Sequence, residues 1–360
     1  MNSDVYSRLR ERLDEYSIGF KSTGTGVEIR LLKALFTEEE AEMYLNLTRS
    51  LQTAADIAGS TGQSVERTEE ILQNMTEKGL TIPRFPKNDE PFYYSAAPYL
   101  HGLLEHQIKR IDKDTAGLML ELNRVGYFSR GPAPLRTIPI HTVVDSDAQV
   151  APYEDVTKVI DRKRRFCVAD CACSVVRQAA EHPCERPREV CFLFDFYADY
   201  YIERGLGREV DKRELLEILK ECDKSGLVPQ FGNSVNPDAL CNCCPDCCES
   251  LLAIKRTPKP AKYANSNYYS TVAAEDCIGC ETCIGRCPMG AVTLSDQGVA
   301  HIHPDRCIGC GLCVSTCSEG AIQLVRKSEE KIRVPPDKHD FMRSSAEYEA
   351  DLRRRSKGTL

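Results

Sequence analysis

The chain has 360 residues, a net charge of −7 and an ordinary 42% hydrophobic content, yet it carries 19 cysteines and no tryptophan. That length gives room for two or three compact domains, and the acidic balance disfavours nucleic acid and anionic membrane surfaces as partners. No stretch approaches the roughly 18 apolar residues of a membrane span, and the charged opening Met1–Ser17 lacks the apolar core of a signal peptide. A cytoplasmic location is expected, where thiols stay reduced and clustered cysteines serve as metal ligands rather than bridges.

Residues 1–166 contain no cysteine. Thr37 and Glu40 form a capping box that opens a helix through Ala41, Met43, Tyr44 and Leu47. A short helix around Thr53–Ala58 and a turn at Gly59–Gly62 follow. Ser64 then caps a third helix carrying Val65, Ile71, Leu72 and Met75 and closed by Gly79. Leu80–Ala96 holds Pro83, Pro86, the turn Lys87-Asn88-Asp89 and the β-formers Phe92, Tyr93 and Tyr94. Three helices followed by a hairpin is the order of a winged helix. From Ala97 a long helix is expected, with Leu100, Leu104, Ile108, Ile111, Leu118 and Leu122 at near-helical spacing and an end at Gly126. Residues 1–126 thus read as a winged-helix-like domain. Its third helix carries Glu66, Glu69, Glu70 and Glu77 against Arg67 and Lys78, the wrong charge for a major groove. A protein-docking or structural role fits better.

A Pro/Gly-rich connection, Arg130–Pro139, leads into a cysteine-rich domain over 127–254, expected to be largely helical between its cysteine loops. Asp211 and Glu214 give a capping box for a helix to about Ser225, stopped by Gly226. The cysteines run Cys167-x3-Cys171-x-Cys173, then Cys184, Cys191 and Cys222, then Cys241-Asn-Cys243-Cys244-Pro-Asp-Cys247-Cys248. Such spacings crowd thiolates that repel unless a metal or cluster neutralises them. One or two [4Fe–4S] clusters are expected here, with Cys171, Cys173, Cys184, Cys191, Cys241, Cys243, Cys244 and Cys247 as leading ligands; zinc is the alternative. Cys222, at an apolar helical position, reads as a buried structural thiol.

A polar linker from Lys255 to Ala274 precedes the last domain, over 270–326. There Cys277-x2-Cys280-x2-Cys283-x3-Cys287-Pro288 is repeated thirty residues on as Cys307-x2-Cys310-x2-Cys313-x3-Cys317. Each run ends alike, in Gly290-Ala-Val-Thr-Leu294 and Gly320-Ala-Ile-Gln-Leu324. A third cysteine at the same spacing, twice, has no use in a zinc ribbon but wraps a cubane corner. The fourth cysteine of each run ligates the other cluster in two-cluster ferredoxins. The expected sets are therefore Cys277, Cys280, Cys283 and Cys317, and Cys307, Cys310, Cys313 and Cys287. Glycines 279, 309 and 311 are expected to let the backbone approach the clusters, and Ser318 stands where a second proline is expected. The tail, 327–360, with Pro335-Pro336 and Arg353-Arg354-Arg355, reads as poorly packed.

With Cys171-Ala-Cys173, Pro183-Cys184, Arg188–Cys191, the stretch Gly205–Glu209 and Cys241–Cys248, the chain resembles a family of multidomain 4Fe–4S ferredoxin-type proteins of anaerobes. That resemblance implies the same three-part layout over nearly the whole chain. An arginine often follows the CxC in that family, where this chain has Ser174.

For an enzyme, Gly24-Thr-Gly26 lacks the third glycine of a nucleotide loop, and Gly205-Leu-Gly207 sits in a helical neighbourhood. His301 and His303 read as surface residues, and no nucleophile–base constellation is legible. The fold class is thus α+β and multidomain: winged-helix-like, helical cysteine-rich, and two-cluster ferredoxin-like. The expected function is single-electron relay through [4Fe–4S] clusters, as the ferredoxin-like subunit of a larger oxidoreductase whose flavin or metal lies on a partner. The alternatives are an iron–sulfur redox-sensing regulator, or an oxidoreductase whose active site is the middle cluster.

Overall fold

The computed structural model describes residues 4–16, 20–86, 90–127, 135–140 and 154–336. The turn at Lys87-Asn88-Asp89, the first half of the Arg130–Pro139 connection and the Arg353-Arg354-Arg355 end lie outside the described residues. Within them no helix is long and apolar enough to cross a membrane.

The N-terminal part comprises α1 (Val5–Tyr16), α2 (Val27–Leu35), α3 (Glu38–Leu45), β1 (Gln52–Thr53), α4 (Ala54–Thr61), α5 (Val65–Glu77), β2 (Thr81–Arg84) and β3 (Tyr93–Ala96). The capping box of α3 forms in both directions: Glu40 N–H donates to Thr37 Oγ1 at 3.2 Å, and Thr37 N–H to Glu40 Oε2 at 2.9 Å. Ser64 caps α5 through Arg67 N–H at 3.2 Å. β3 lies between β1 and β2, antiparallel to both. Leu9, Leu13, Leu31, Tyr44, Leu72 and Tyr94 fill one core among these elements.

The single long helix expected from Ala97 is not formed. Leu100 is extended and His101 left-handed (φ 54°), and the helix α6 begins only at Lys113, running to Leu122. Two local hydrogen bonds explain the break. Glu105 Oε2 accepts the Gly102 N–H at 3.1 Å, and Asp112 Oδ1 accepts the Thr115 N–H at 2.8 Å, an N-cap that starts a new helix. Leu100, Leu104 and Leu122 are buried all the same.

The middle part is not mainly helical. It comprises β4 (Leu135–Thr137), α7 (Val156–Ile160), β5 (Phe166–Asp170), α8 (Ala172–Ala179), β6 (Glu189–Phe194), α9 (Phe196–Glu203), β7 (Gly207–Val210), α10 (Lys212–Lys224), β8 (Val228–Gly232), β9 (Ala239–Cys243) and α11 (Glu249–Lys255). The strands make one antiparallel sheet in the order β4-β8-β9-β6-β5-β7. All are short, and β5 and β6 are rich in aromatic and β-branched residues, as in Val190-Cys-Phe-Leu-Phe194, which favours a pleated, half-buried surface. One face, with Val168, Phe192, Phe194, Phe231 and Leu240, packs on Val156, Ile160, Leu215 and Leu219 of α7 and α10. The other face carries Cys167, Ala169, Cys191, Leu193 and Ala239 against Ala198, Tyr200 and Tyr201 of α9. The helix α10 starts and stops where expected: Asp211 Oδ1 accepts the Glu214 N–H at 2.8 Å, and Gly226 follows in the left-handed conformation (φ 74°). The box is only half formed, because Glu214 Oε1 accepts from Arg208 at 2.6 Å instead.

The C-terminal part adds α12 (Pro260–Tyr263), β10 (Tyr268–Val272), α13 (Thr282–Arg286), β11 (Val292–Leu294), β12 (Ala300–Ile302), α14 (Leu312–Thr316) and β13 (Ile322–Arg326). β10 pairs with β13 and β11 with β12, both antiparallel. The segment expected to be a linker is built in: Asn265, Ser266 and Asn267 are buried and β10 already starts at Tyr268. The first residues of the tail are packed too. Arg333 O accepts from buried Arg136 at 2.6 Å, and Arg136 in turn pairs with buried Glu154 at 2.9 Å. Val235 N–H donates to Pro336 O at 3.1 Å.

Candidate metal centres

Four groups of thiols emerge, and two of them sit on the repeated C-terminal runs. Each run is a loop followed by one short helix, α13 or α14, and a tight turn. Gly279 and Gly309 occupy equivalent left-handed positions (φ 68° and 67°). What they approach is strand and turn backbone: a Cβ would lie 2.4 Å from Gly298 O or 2.3 Å from Tyr268 O. Side chains are barred there because the loop is pressed against its neighbour, not only because of the space a cluster needs. Ser318 does not disturb the turn after its run. Gly320 N–H reaches Cys317 O at 3.3 Å, matching Gly290 N–H to Cys287 O at 3.3 Å after Pro288.

Cys277, Cys280, Cys283 and Cys317 line one cavity, together with Ile278, Leu294 and Ile322. Around the second run, Cys310 and Cys313 feel the charges of Cys307 and of Cys287 from the first run. The structure thus brings each set of three next to the fourth cysteine of the other run. Backbone N–H groups point at the sulfurs: Ala300 at Cys277 (3.3 Å), Ala291 at Cys287 (3.2 Å) and Ser270 at Cys307 (3.4 Å). The two sets differ in exposure. Cys280 is exposed and Ile278 is 67% exposed, whereas Cys307, Cys310 and Cys313 are buried. Burial pushes Cys313 up to about 12 and Cys310 well above the ordinary thiol range, so these thiols ionise only with a cation beside them. Eight soft sulfurs with aligned N–H donors suit two iron–sulfur clusters. His301 and His303 take no part: their rings touch each other at 4.9 Å, and His303 bonds Thr293 at 3.0 Å.

The third group lies in the middle part. On the cysteine face of the sheet the register sets Cys191 opposite Cys241, and Cys243 follows two residues on, on the same face. Cys171 and Cys248 stand at the N-caps of α8 and α11, where the helix dipole favours a thiolate. The sulfurs follow one another around the site in the order Cys171, Cys173, Cys248, Cys243, Cys241 and Cys191, each close enough to shift the ionisation of the next. Cys248, absent from the expected ligands, is the link between the helix starts and the sheet. Only its N-cap position, one residue past the dense run, could have flagged it. Hydrogen bonds from neighbouring thiols pull Cys241 well down and Cys248 down to about 6. Cys171 is pushed well up by Cys173 and then by burial.

These six cysteines line a cavity of about 70 Å³, walled also by Leu100, Leu104, His101, Glu105 and Tyr201. The broken segment after Ala97 therefore closes the site from the N-terminal side. Burial pushes the Glu105 carboxyl up to about 8 and lowers His101. Cys184, Cys244 and Cys247 do not reach this cavity; they gather by themselves, with their sulfurs within 4.8 Å of one another. Cys167 and Cys222 are buried thiols pushed up to about 12 by burial.

Residues 271–318 match the model of the 4Fe-4S dicluster domain family. No curated protein and no solved structure matches the chain. The matched stretch runs from within β10 to Ser318 and includes all eight cysteines of the two runs. The chain thus carries an iron–sulfur, ferredoxin-type domain, and iron–sulfur electron transfer is the activity that this domain supports.

Proposed function

We propose that the chain is a multi-centre electron relay in the cytoplasm, the ferredoxin-like subunit of a larger oxidoreductase whose flavin or metal sits on a partner. One observation carries this reading. Cys243 and Cys248 of the six-thiol cavity share a single apolar cluster with Cys310 and Cys287 of the buried C-terminal set, through Leu251, Met289, Ile308 and Leu312. Ile140 N–H also donates to Cys310 O at 3.1 Å, fixing the boundary. The exposed set around Cys280, the buried set around Cys310 and the cavity then lie in series from surface to interior.

In this reading Cys277, Cys280, Cys283 and Cys317 hold one [4Fe–4S] cluster and Cys307, Cys310, Cys313 and Cys287 the second. A further one takes four of the six cavity thiols. Bound clusters supply one-electron redox chemistry. The chain's own part is to fix the thiolates, donate N–H groups to sulfur and exclude water, so that oxidation state changes with little rearrangement. The winged-helix-like front end serves as a docking and closing domain. Arg67 of α5 is paired with Glu39 at 2.7 Å and Glu70 at 2.5 Å, and Phe85 of the hairpin stacks on Tyr200 of the middle part at 6.5 Å. Lys78, at the end of the same helix, pairs with Glu40 at 2.6 Å, so both of its basic residues are held by carboxylates, which weighs against a nucleic acid.

Iron and acid-labile sulfide per chain, counted on protein purified without oxygen, test this. About twelve irons are expected. About eight would leave the cavity without a cluster and end the relay through the middle part.

A further inference from the structure

The sulfurs of Cys184, Cys244 and Cys247 differ from every other group of thiols in the chain. All 19 cysteines fall among the described residues, and these are the one trio whose sulfurs all lie within 4.8 Å of one another, with Cys184 Sγ to Cys244 Sγ at 3.5 Å. Four thiolates on a cubane are held apart by the Fe4S4 core between them. The eight cysteines of the dicluster domain behave so: none of their trios closes to that distance. Three thiolates on one tetrahedral zinc, at a Zn–S bond of about 2.3 Å, would sit about 3.8 Å apart. The spacing in the structure is that of a single ion.

The local backbone agrees. Cys244-Pro-Asp-Cys247 is a tight turn: Cys247 and Cys248 N–H both point to Cys244 O, at 3.3 and 2.9 Å, and Asp246 N–H points to Cys244 Sγ at 3.4 Å. Such an N–H favours the thiolate. Cys184 comes from the loop between α8 and β6, sixty residues away. Arg186 clamps that loop to the turn by bonding Asp246 at 3.2 Å and Ser225 O at 2.7 Å. Cys244 and Cys247 are buried, and three close thiols without a cation cannot all ionise.

We infer that Cys184, Cys244 and Cys247 bind one Zn2+ ion, separate from the iron–sulfur clusters, with its fourth position open. On the remaining side a broad cleft lined by His182, Glu185, Arg186 and Asp246 reaches Cys184 and Cys247. Three protein ligands with a solvent-facing fourth position are the coordination of zinc sites that exchange a ligand, whereas structural sites are closed by four. Arg186, beside the site, offsets the net negative charge of a zinc with three thiolates.

The test uses the full chain purified without oxygen, with zinc and iron counted together. One zinc per chain is expected, and X-ray absorption at the zinc edge should give three sulfurs and one lighter scatterer. Cys184→Ala, on a half-exposed loop, should lose the zinc and keep the iron count of the unaltered chain. An unaltered chain without zinc overturns the site, as does a zinc edge with four sulfurs. So does a Cys184→Ala protein that loses about four irons, which would return these cysteines to a cluster. The zinc count and the iron count fail separately, so a missing middle cluster leaves this site standing.

Discussion

Gly309 and Gly320 separate two reasons for a glycine. Both are left-handed, at φ 67° and 65°, but a Cβ on Gly309 would stand 2.3 Å from Tyr268 O, while one on Gly320 meets nothing within 4 Å. Gly320→Ala should cost about 1 kcal/mol, the backbone strain alone. Gly309→Ala has to displace β10 as well, and a loss near the upper end of about 1–3 kcal/mol is expected. Thermal unfolding of the two loaded variants checks the order, and equal losses would refute it. The Cys-x-Gly-Cys spacing marked Gly309 in the sequence; the strand it abuts, β10, lies ahead of the whole duplicated motif and becomes visible as its neighbour only in the fold. Cys248 shows the converse. Its type and neighbourhood were plain, but its sulfur joins the cavity because α11 starts there and turns the thiol inward. Cys248→Ser should lower the iron count by about four and leave the eight irons of the dicluster domain, as read by metal analysis. An unchanged count would remove Cys248 from the cavity's working set.

Among the elements, the broken segment after Ala97 does the most to shape the middle site. Its apolar spacing was legible, and the leucines are buried as that spacing requires, yet it is no continuous helix. Two carboxylates bonding backbone N–H groups outweigh periodicity, because an N-cap is worth about 1 kcal/mol locally. The same segment carries His106, whose Nδ1–H donates to Gly79 O at 3.2 Å and whose ring packs on Tyr200 of α9 at 4.7 Å. Burial, and then the nearby charge of Arg204 against the help of the Gly79 carbonyl, lower its pKa to about 3. The folded value lies below the unfolded one, so His106 adds stability above about pH 6.5 that is lost as pH falls toward about 3. Docking of the N-terminal part on α9 should weaken over that window. Hydrogen exchange at α5 and α9 as a function of pH would detect it, and protection unchanged from pH 7 to pH 4 would contradict it. The middle strands escaped the sequence reading for a related reason. Five-residue strands interrupted by cysteines show neither a clear alternation nor a helical period.

At the scale of the whole molecule, the three parts are joined by buried polar and apolar contacts rather than by free linkers. Arg136 ties the sheet to Glu154 and to Arg333 of the tail, and Arg286 of α13 pairs with Asp223 of α10 at 3.1 Å. Those contacts hold the buried C-terminal set of cysteines against the cavity, while Ile278 and Cys280 face outward. Sequence alone determined the local chemistry: cysteine types, the duplicated runs, the N-caps of α3, α5 and α10, and the acidic face of α5. Each of these depends on residues within a few positions of one another, where spacing is geometry. Only the tertiary structure decided how eleven middle cysteines divide into a six-thiol cavity, a compact trio and two isolated buried thiols. That division is set by strand register and by which helix starts meet the sheet, through contacts between residues far apart in the chain, such as Cys191 with Cys241, that no local pattern encodes.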